Sequence, residues 1–394
     1  TPKIHVRVHG IFTNTVATAT YRGAGRPEAS YLVEGIIDRA ARETGIDRVE
    51  LRRRNLIPAD AMPYKTGLIF EYDSGEFEKN LDDAMERADY GGYEARRAKS
   101  EANGKIRGLG ITVPIERAGA PPGPETAEIR FDPSGTVTLF VGTKSQGQGH
   151  DTMYKILMSH LLGMDSDDVM VLEGDTDKIA FGTGTYGSRS AIVGGSAVHK
   201  TAGKIVDKAR LLAAHMLEAA DSDIEFERGV FTVAGTDRSV TLQDVARTAF
   251  RPGARPKGME PGLFETATFE PDGQTFPNGC HICEIEIDPD TGKMAILNYV
   301  VIDDVGNVIN ELTLEGQVHG GVLQGVGQAV MEHMIYDHDG GQLTSGSFMD
   351  YAMPRADDIC AIEVHSNPVP TKTNPLGVKG AGEAGTVGAL PVIM

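Results

Sequence analysis

Along "TYRGAGRPEASYLVEGIIDRAARETGI" the apolar residues Leu32, Val33, Ile36, Ile37, Ala40 and Ala41 recur at helical spacing behind Pro27, which suits a first helical turn. The spacing predicts a helix with these side chains as its apolar face. Asp47 predicts the cap of a short helix through Arg53, and Asp73 with Glu76 has capping-box spacing ahead of a helix to about Ala88. Another helix is expected from Tyr93 to Ala102, stopped at Asn103-Gly104. The stretch that opens the chain reads as strand-like. Beyond residue 104 alternation takes over. "KIRGLGITVPIE" reads as a strand, and "AEIRFDPSGTVTLFVGT" as two strands joined at Pro133-Ser134-Gly135. Helices are expected over roughly 151–162, 190–220, 241–250 and 316–334, with a hairpin across "CEIEIDPDTGKMAILNYVVID". Further strands are expected at "DVMVLEGD", "IEFERGVFTVAG", "SFMDYAMP" and "AIEVHSN". Helices and strands mix without a regular alternating beat. The expected class is therefore α+β, mixed sheets with packed helices, with a mainly helical lobe over 1–104 and a larger α+β region over 105–394.

Composition narrows the partners. With 56 acidic against 38 basic residues the net charge is −18, which repels nucleic acid and anionic membrane. Cysteine is sparse and odd in number (Cys280, Cys283, Cys360), which argues for a reducing, cytoplasmic setting and against a disulfide framework. Cys280 and Cys283 form a C-x-x-C, but on an alternating strand and with only His281 nearby, so a structural role is expected rather than zinc. Three cysteines cannot hold an iron–sulfur cluster that needs four. No apolar run approaches the roughly 18 residues of a membrane span. The chain opens without Met and closes on the apolar "GALPVIM", so it reads as a piece of a longer polypeptide.

Candidate chemistry gathers in glycine loops: "YRGAGR" (21–26), "GTKSQGQGHD" (142–151), "GTGTYGSRSA" (182–191) and "VKGAGEAG" (378–385), with "GQVHGG" (316–321) as a weaker fifth. Several precede expected helices, where free N–H groups and the positive dipole end suit phosphate. Arg22 and Arg189 add guanidinium groups, while Gln146, Gln148, Ser188 and Ser190 add hydrogen-bond donors. Together they point to an extended, polar, phosphate-bearing ligand. No loop has the G-x-G-x-x-G context of a dinucleotide fold, and no Walker A is present. Neither a His-Glu-x-x-His set nor a G-x-S-x-G elbow occurs, so direct metal ligation and serine nucleophile chemistry are not expected. Glu383 stands alone among small residues, either as a reactive carboxylate or as the cap of a helix.

These motifs, in this order along nearly the whole chain, resemble the molybdenum-cofactor-binding subunit of the xanthine dehydrogenase and aldehyde oxidase family. Within that family the chain is most similar to large subunits of the aerobic carbon monoxide dehydrogenase type. The resemblance implies the family's molybdenum-cofactor-binding fold and a pterin that carries molybdenum on its dithiolene, as molybdopterin cytosine dinucleotide. It implies that Gln146, Gly147, Gln148, Gly149 and His150 run along the pterin and pyrophosphate. Gly187, Ser188, Arg189, Ser190 and Ala191 match a second phosphate-side loop. Arg22 and Gly23 match the arginine loop beside the metal, Gln317 a glutamine near the pterin, and Lys379 and Gly380 the flank of the last loop. Glu383 matches the general base of a hydroxylation that uses water-derived oxygen. No side chain is implied as a metal ligand. The implied partners are a small-molecule substrate, an iron–sulfur subunit, an FAD subunit and the N-terminal half of the large subunit, whose "GGFGG"-type loop this sequence lacks.

Two positions depart from the family. Carbon monoxide oxidation needs a cysteine after the loop arginine to hold copper, and Gly23 stands there. Xanthine-type sites place Phe two residues after that arginine, and Ala24 stands there, which predicts a roomier pocket. The expected activity is hydroxylation of an aldehyde or an N-heteroaromatic compound, with the isolated chain inactive. Its alternatives are a carbon monoxide dehydrogenase large subunit and a cofactor-binding or assembly module without activity.

Overall fold

The computed structural model describes residues 3–119 and 123–394. Residues 3–20 form no strand and lie exposed, against the strand-like expectation. Helix α1 (Arg26–Thr44) is followed by α2 (Arg48–Arg53), whose cap is Asp47, accepting from the N–H groups of Val49 and Glu50 at 2.9 Å each. The short ribbon β1 (Tyr64–Lys65) and β2 (Glu71–Tyr72) leads to α3 (Phe77–Arg87) and α4 (Tyr93–Ala102). Next come β3 (Ile106–Thr112), β4 (Glu125–Phe131), β5 (Val137–Val141), α5 (His150–Leu162) and β6 (Val169–Glu173). A five-residue π-helical turn, Ser190–Gly194, opens α6 (Gly195–Met216). The middle of the chain holds β7 (Ile224–Glu227), β8 (Val230–Val233), β9 (Ser239–Thr241), α7 (Leu242–Ala249) and β10 (Phe264–Phe269). It ends in β11 (Asn278–Ile287), β12 (Met294–Asp304), α8 (Glu311–Val330), β13 (Ile362–Ser366) and α9 (Ala384–Ile393).

Two four-stranded mixed sheets carry the fold, in the orders β10-β4-β5-β6 and β13-β12-β11-β3. The first packs its apolar residues against α5, α6 and α7, with Ile129, Leu139, Met158, Ile205 and Val245 fully buried. The second is covered on both faces. Alternation along β11 sends Cys280 and Ile282 to the face shared with Leu81 and Ala84 of α3, and Cys283 to the face shared with Val318, Val322 and Ala389 of α8 and α9. The two cysteines therefore sit in different cores, as packing residues, and burial pushes both thiols up.

Three further expectations need correction. Leu32, Val33 and Ile36 of α1 are more than half exposed, while Glu34 on the other side is buried. Its carboxylate takes two hydrogen bonds from Arg52 (2.6 and 2.9 Å) and one from the Val113 N–H (2.6 Å), and this ion pair turns the helix against its apolar stripe. Asp73 does not cap α3. It accepts instead from Thr371 Oγ1 and the Lys372 N–H, which tie the last loop to this lobe. Finally, "SFMDYAMP" is a turn rather than a strand, with Phe348 and Met349 in water and no core to hold an alternating face. Among the described residues no helix is long and apolar enough to cross a membrane.

Candidate functional site

The loops into α1, α5, α8 and α9 and the turn before α6 converge on a cavity of about 550 Å³. At the end of β5 the chain enters the 142–149 loop. Gln148 Nε2 donates to His150 Nε2 (3.0 Å), and the far ring nitrogen Nδ1 meets Glu173 Oε1 (2.9 Å). An amide nitrogen only donates, so Nε2 accepts and Nδ1 carries the proton toward Glu173. Thr143 Oγ1 bonds the same carboxylate and Tyr154 Oη, which locks the start of α5.

In the 182–191 loop Ser188 adopts a left-handed φ of 54°, and Ser190 Oγ bonds Thr185 Oγ1 at 2.9 Å. Its neighbour Arg189 is fully buried and turned away from the cavity. It pairs with Glu125 (2.5 Å) and donates to the carbonyls of Gly184, Gly123 and Pro124. Asn310 caps α8 by accepting from the Thr313 N–H (2.8 Å), so this helix begins five residues earlier than its glycines indicate.

Arg22 ties three of these segments together. Its Nε donates to Gly382 O (2.5 Å), Nη2 to Gln317 O and Oε1 (3.0 and 3.2 Å), and Nη1 to Gln324 Oε1 (3.2 Å). Burial pulls the guanidinium down from its usual range, and Glu383 and Glu116 counter that by attraction. A guanidinium stays cationic through such shifts. Lys379 lies on the far side of its loop, paired with Asp304 (2.5 Å) and bonded to Ser74 O (3.2 Å). Gly380 has φ 88°, and a Cβ there would come within 2.7 Å of Ser188 O, so glycine is what lets the two loops touch. Glu383 occupies the cap position of α9, yet its side chain makes no capping bond. It accepts from Ser188 Oγ at 3.3 Å.

Of the residues singled out from sequence, Arg22, Gln146, Gly147, Gln148, His150, Gly187, Ser188, Ser190, Ala191, Gln317, Gly380 and Glu383 line this one cavity. Gly23, Gly149, Arg189 and Lys379 do not. Asn307, Asn310, Thr313 and Gln324 line it too and went unnoticed in the sequence, although an Asn three residues before Thr at a helix start is a readable cap. Glu116 also went unnoticed, as one carboxylate in "TVPIERAG". It is buried, and it faces Glu383.

Residues 83–360 match a molybdopterin cofactor-binding domain, and residues 1–56 match a second domain of that description. The chain belongs to the molybdenum hydroxylases. It is 36% identical to the carbon monoxide dehydrogenase large chain of Hydrogenophaga pseudoflava, over 99% of this chain and 50% of that one. It is 33% identical to the nicotine 6-hydroxylase large subunit of Paenarthrobacter nicotinovorans, over 98% and 48%. The structure of quinoline 2-oxidoreductase from Pseudomonas putida 86 superimposes with a TM-score of 0.89 at 32% identity, covering 95% of this chain and 49% of the other. The chain thus spans about half the length of these molybdenum hydroxylase subunits, and it is a molybdenum-cofactor-binding part of one.

The cavity fits such a cofactor. The starts of α5, α8 and α9 and the π-helical turn before α6 border it, and Gln146, Gln148, Ser188, Ser190, Asn310 and Gln317 offer polar side chains along its lining. Among the described residues no group of three His, Cys, Asp or Glu is placed to hold a metal ion.

Proposed function

We propose that the chain supplies the base-bearing, phosphate-binding wall of a molybdenum hydroxylase that inserts water-derived oxygen into an aldehyde or an N-heteroaromatic ring. One observation carries this reading: Glu383 shares a single cavity with the loops at 146–150 and 187–191, which are far from it in sequence. Gln146, Gln148 and the start of α5 would hold one stretch of a cytosine-dinucleotide form of the cofactor. Ser188, Ser190 and the π-helical turn would hold another. When bound, the cofactor supplies the two-electron redox chemistry. Glu383 removes the proton from the oxygen nucleophile, with Ser188 Oγ holding one carboxylate oxygen in place. Arg22 fixes the Glu383 loop against α8 through Gly382 and Gln317. Electrons leave through an iron–sulfur subunit and an FAD subunit, in a cytoplasmic complex completed by the other half of the large subunit.

Gly23 argues against a copper-dependent activity. It has φ 95°, and a Cβ there would lie 2.7 Å from the Pro27 ring, so this loop does not accept cysteine without a backbone change. Metal and nucleotide analysis of the complex purified from its native source tests the reading. Molybdenum with CMP released by acid, and no copper, is the expected result. Copper stoichiometric with molybdenum, together with carbon monoxide turnover, would return the chain to the copper-dependent class. A complete complex with neither molybdenum nor nucleotide would leave an assembly module.

A further inference from the structure

Strand β10 is the outer strand of its sheet, with β4 on one side and, among the described residues, no strand on the other. The two run antiparallel, with Thr266 opposite Glu128 and Ala267 opposite Ala127. Backbone groups alternate in direction along such a strand. The Phe131 N–H donates to Leu263 O (3.0 Å), so the odd-numbered residues here face β4. Phe264, Thr266 and Thr268 therefore turn their carbonyl and N–H groups outward. A row of outward backbone groups is a template for another strand. The segment itself, "FETATF", holds strong strand formers, one charge and neither Pro nor Gly, which is the composition that pairs most readily between chains.

Helix α6 closes that edge. Its Ala197, Ile205 and Ala209 are buried against the sheet, and Lys200, Lys204 and Lys208 lie on the flank beside them. Lys200 Nζ donates to Thr268 O at 3.0 Å, Lys204 Nζ to Thr266 O at 2.8 Å and Lys208 Nζ to Phe264 O at 3.3 Å. Each outward carbonyl thus has an ammonium group of its own. The two repeats explain the match. Four residues of α-helix advance about 6.0 Å. Two residues of antiparallel strand advance about 6.8 Å, so lysines one helical turn apart keep step with every second carbonyl over this length. Lys208 is held further by Glu265 Oε1 at 3.6 Å and by the Phe264 ring, whose centroid lies 4.6 Å from Nζ. Lys200 and Lys204 are exposed and, among the described residues, make no ion pair, so the strand carbonyls are their partners.

We propose that this lysine row is a lock on the β10 edge, and that what it keeps out is the same strand of a second copy of this chain. β10 is complementary to itself across a two-fold axis. An antiparallel pair centred on Thr266 sets Phe264 against Thr268 and Glu265 against Ala267, so the outward groups find partners and no like charges stand opposite. The lysines oppose that pairing in two ways. They occupy the carbonyls it needs, and they would bring two rows of ammonium groups together at the axis. Six residues of strand bury less than a stable interface requires, so an unlocked edge associates weakly and in proportion to concentration.

The test is sedimentation velocity of the intact complex over a range of concentrations. Lys200→Ala, Lys204→Ala and Lys208→Ala together should raise its mass toward that of a pair of complexes as concentration rises. Alanine favours helix at these positions, so α6 keeps its fold. The corresponding triple change to Arg keeps the cations and their N–H donors and should sediment like wild type. Adding Thr266→Pro to the alanine triple removes an outward N–H and should restore the wild-type mass, since an edge strand accepts proline where its N–H faces water. Hydrogen exchange gives a second reading. The Thr266 and Thr268 amides should slow by about tenfold or more in the concentrated alanine triple. Unchanged mass in the alanine triple, or amides there that do not slow, overturns the lock. So does association that survives Thr266→Pro, which would come from another surface, and so does equal association of the arginine triple.

Discussion

Glu383 holds a helix-cap position without capping, and that separates its two sequence readings. A capping carboxylate would be satisfied by its own helix N–H groups, whereas this one meets Ser188 Oγ and the cavity. Glu383→Gln keeps the acceptor for Ser188 and removes the base. In the assembled enzyme it should lower kcat by about 10²–10⁴-fold with molybdenum content unchanged, read by turnover and metal analysis. Glu116 makes a prediction about stability. Burial, then the facing Glu383, raise its native pKa above the unfolded value, so the native state holds the extra proton between the two. Stability therefore falls as pH rises from the ordinary carboxylate range toward the raised value. Glu116→Gln should flatten that part of a Tm-against-pH curve and raise Tm at its upper end. An unchanged slope would mean the carboxyl finds donors when the protein folds in solution.

At the scale of elements, the small residues around Glu383 answer to packing. A Cβ on Gly385 would lie 2.6 Å from Val318 O, and one on Gly325 would lie 2.3 Å from the Ala389 Cβ, so α8 and α9 touch backbone to backbone. Thr386 Oγ1 donates to Gly321 O across the same seam (2.9 Å). Gly385→Val should push the helices apart, costing about 1–3 kcal/mol in denaturant unfolding and displacing Glu383 with its helix. The buried pair between α1 and α2 works differently. Glu34→Ala leaves the Arg52 guanidinium buried and without that carboxylate, and should cost about 3–5 kcal/mol by the same measurement. A loss below about 1 kcal/mol would mean that Asp38, which also pairs with Arg52, suffices alone.

For the whole molecule, the salient fact is apolar surface facing water. Val6, Val8, Ile11 and Phe12 in the first stretch and Leu32, Val33 and Ile36 on α1 are all more than half exposed. Isolated surface leucines are ordinary, but two adjacent segments of this kind are not. The chain also spans about half the length of its relatives. The isolated 394-residue chain should therefore purify without molybdenum, show no hydroxylase turnover and bind a hydrophobic dye. Full molybdenum occupancy in that preparation would show that this wall holds the cofactor alone.

Periodicity by itself determined the α+β class, most helices and the β11–β12 hairpin, because local spacing dictates which elements can bury a face. Motif order determined the family, and the glycine loops marked most of the cavity lining before any of it was folded. Orientation was decided only in three dimensions. The apolar stripe of α1 was readable, but a buried ion pair to Arg52 outranked it. Arg189 read as a phosphate ligand, yet Glu125, 64 residues away, holds its guanidinium outside the cavity. Glu116 carried no local signal at all. Its meaning comes from Glu383 and Asp303, which are remote in sequence, and a charge is costly or useful only according to the neighbours that folding brings to it.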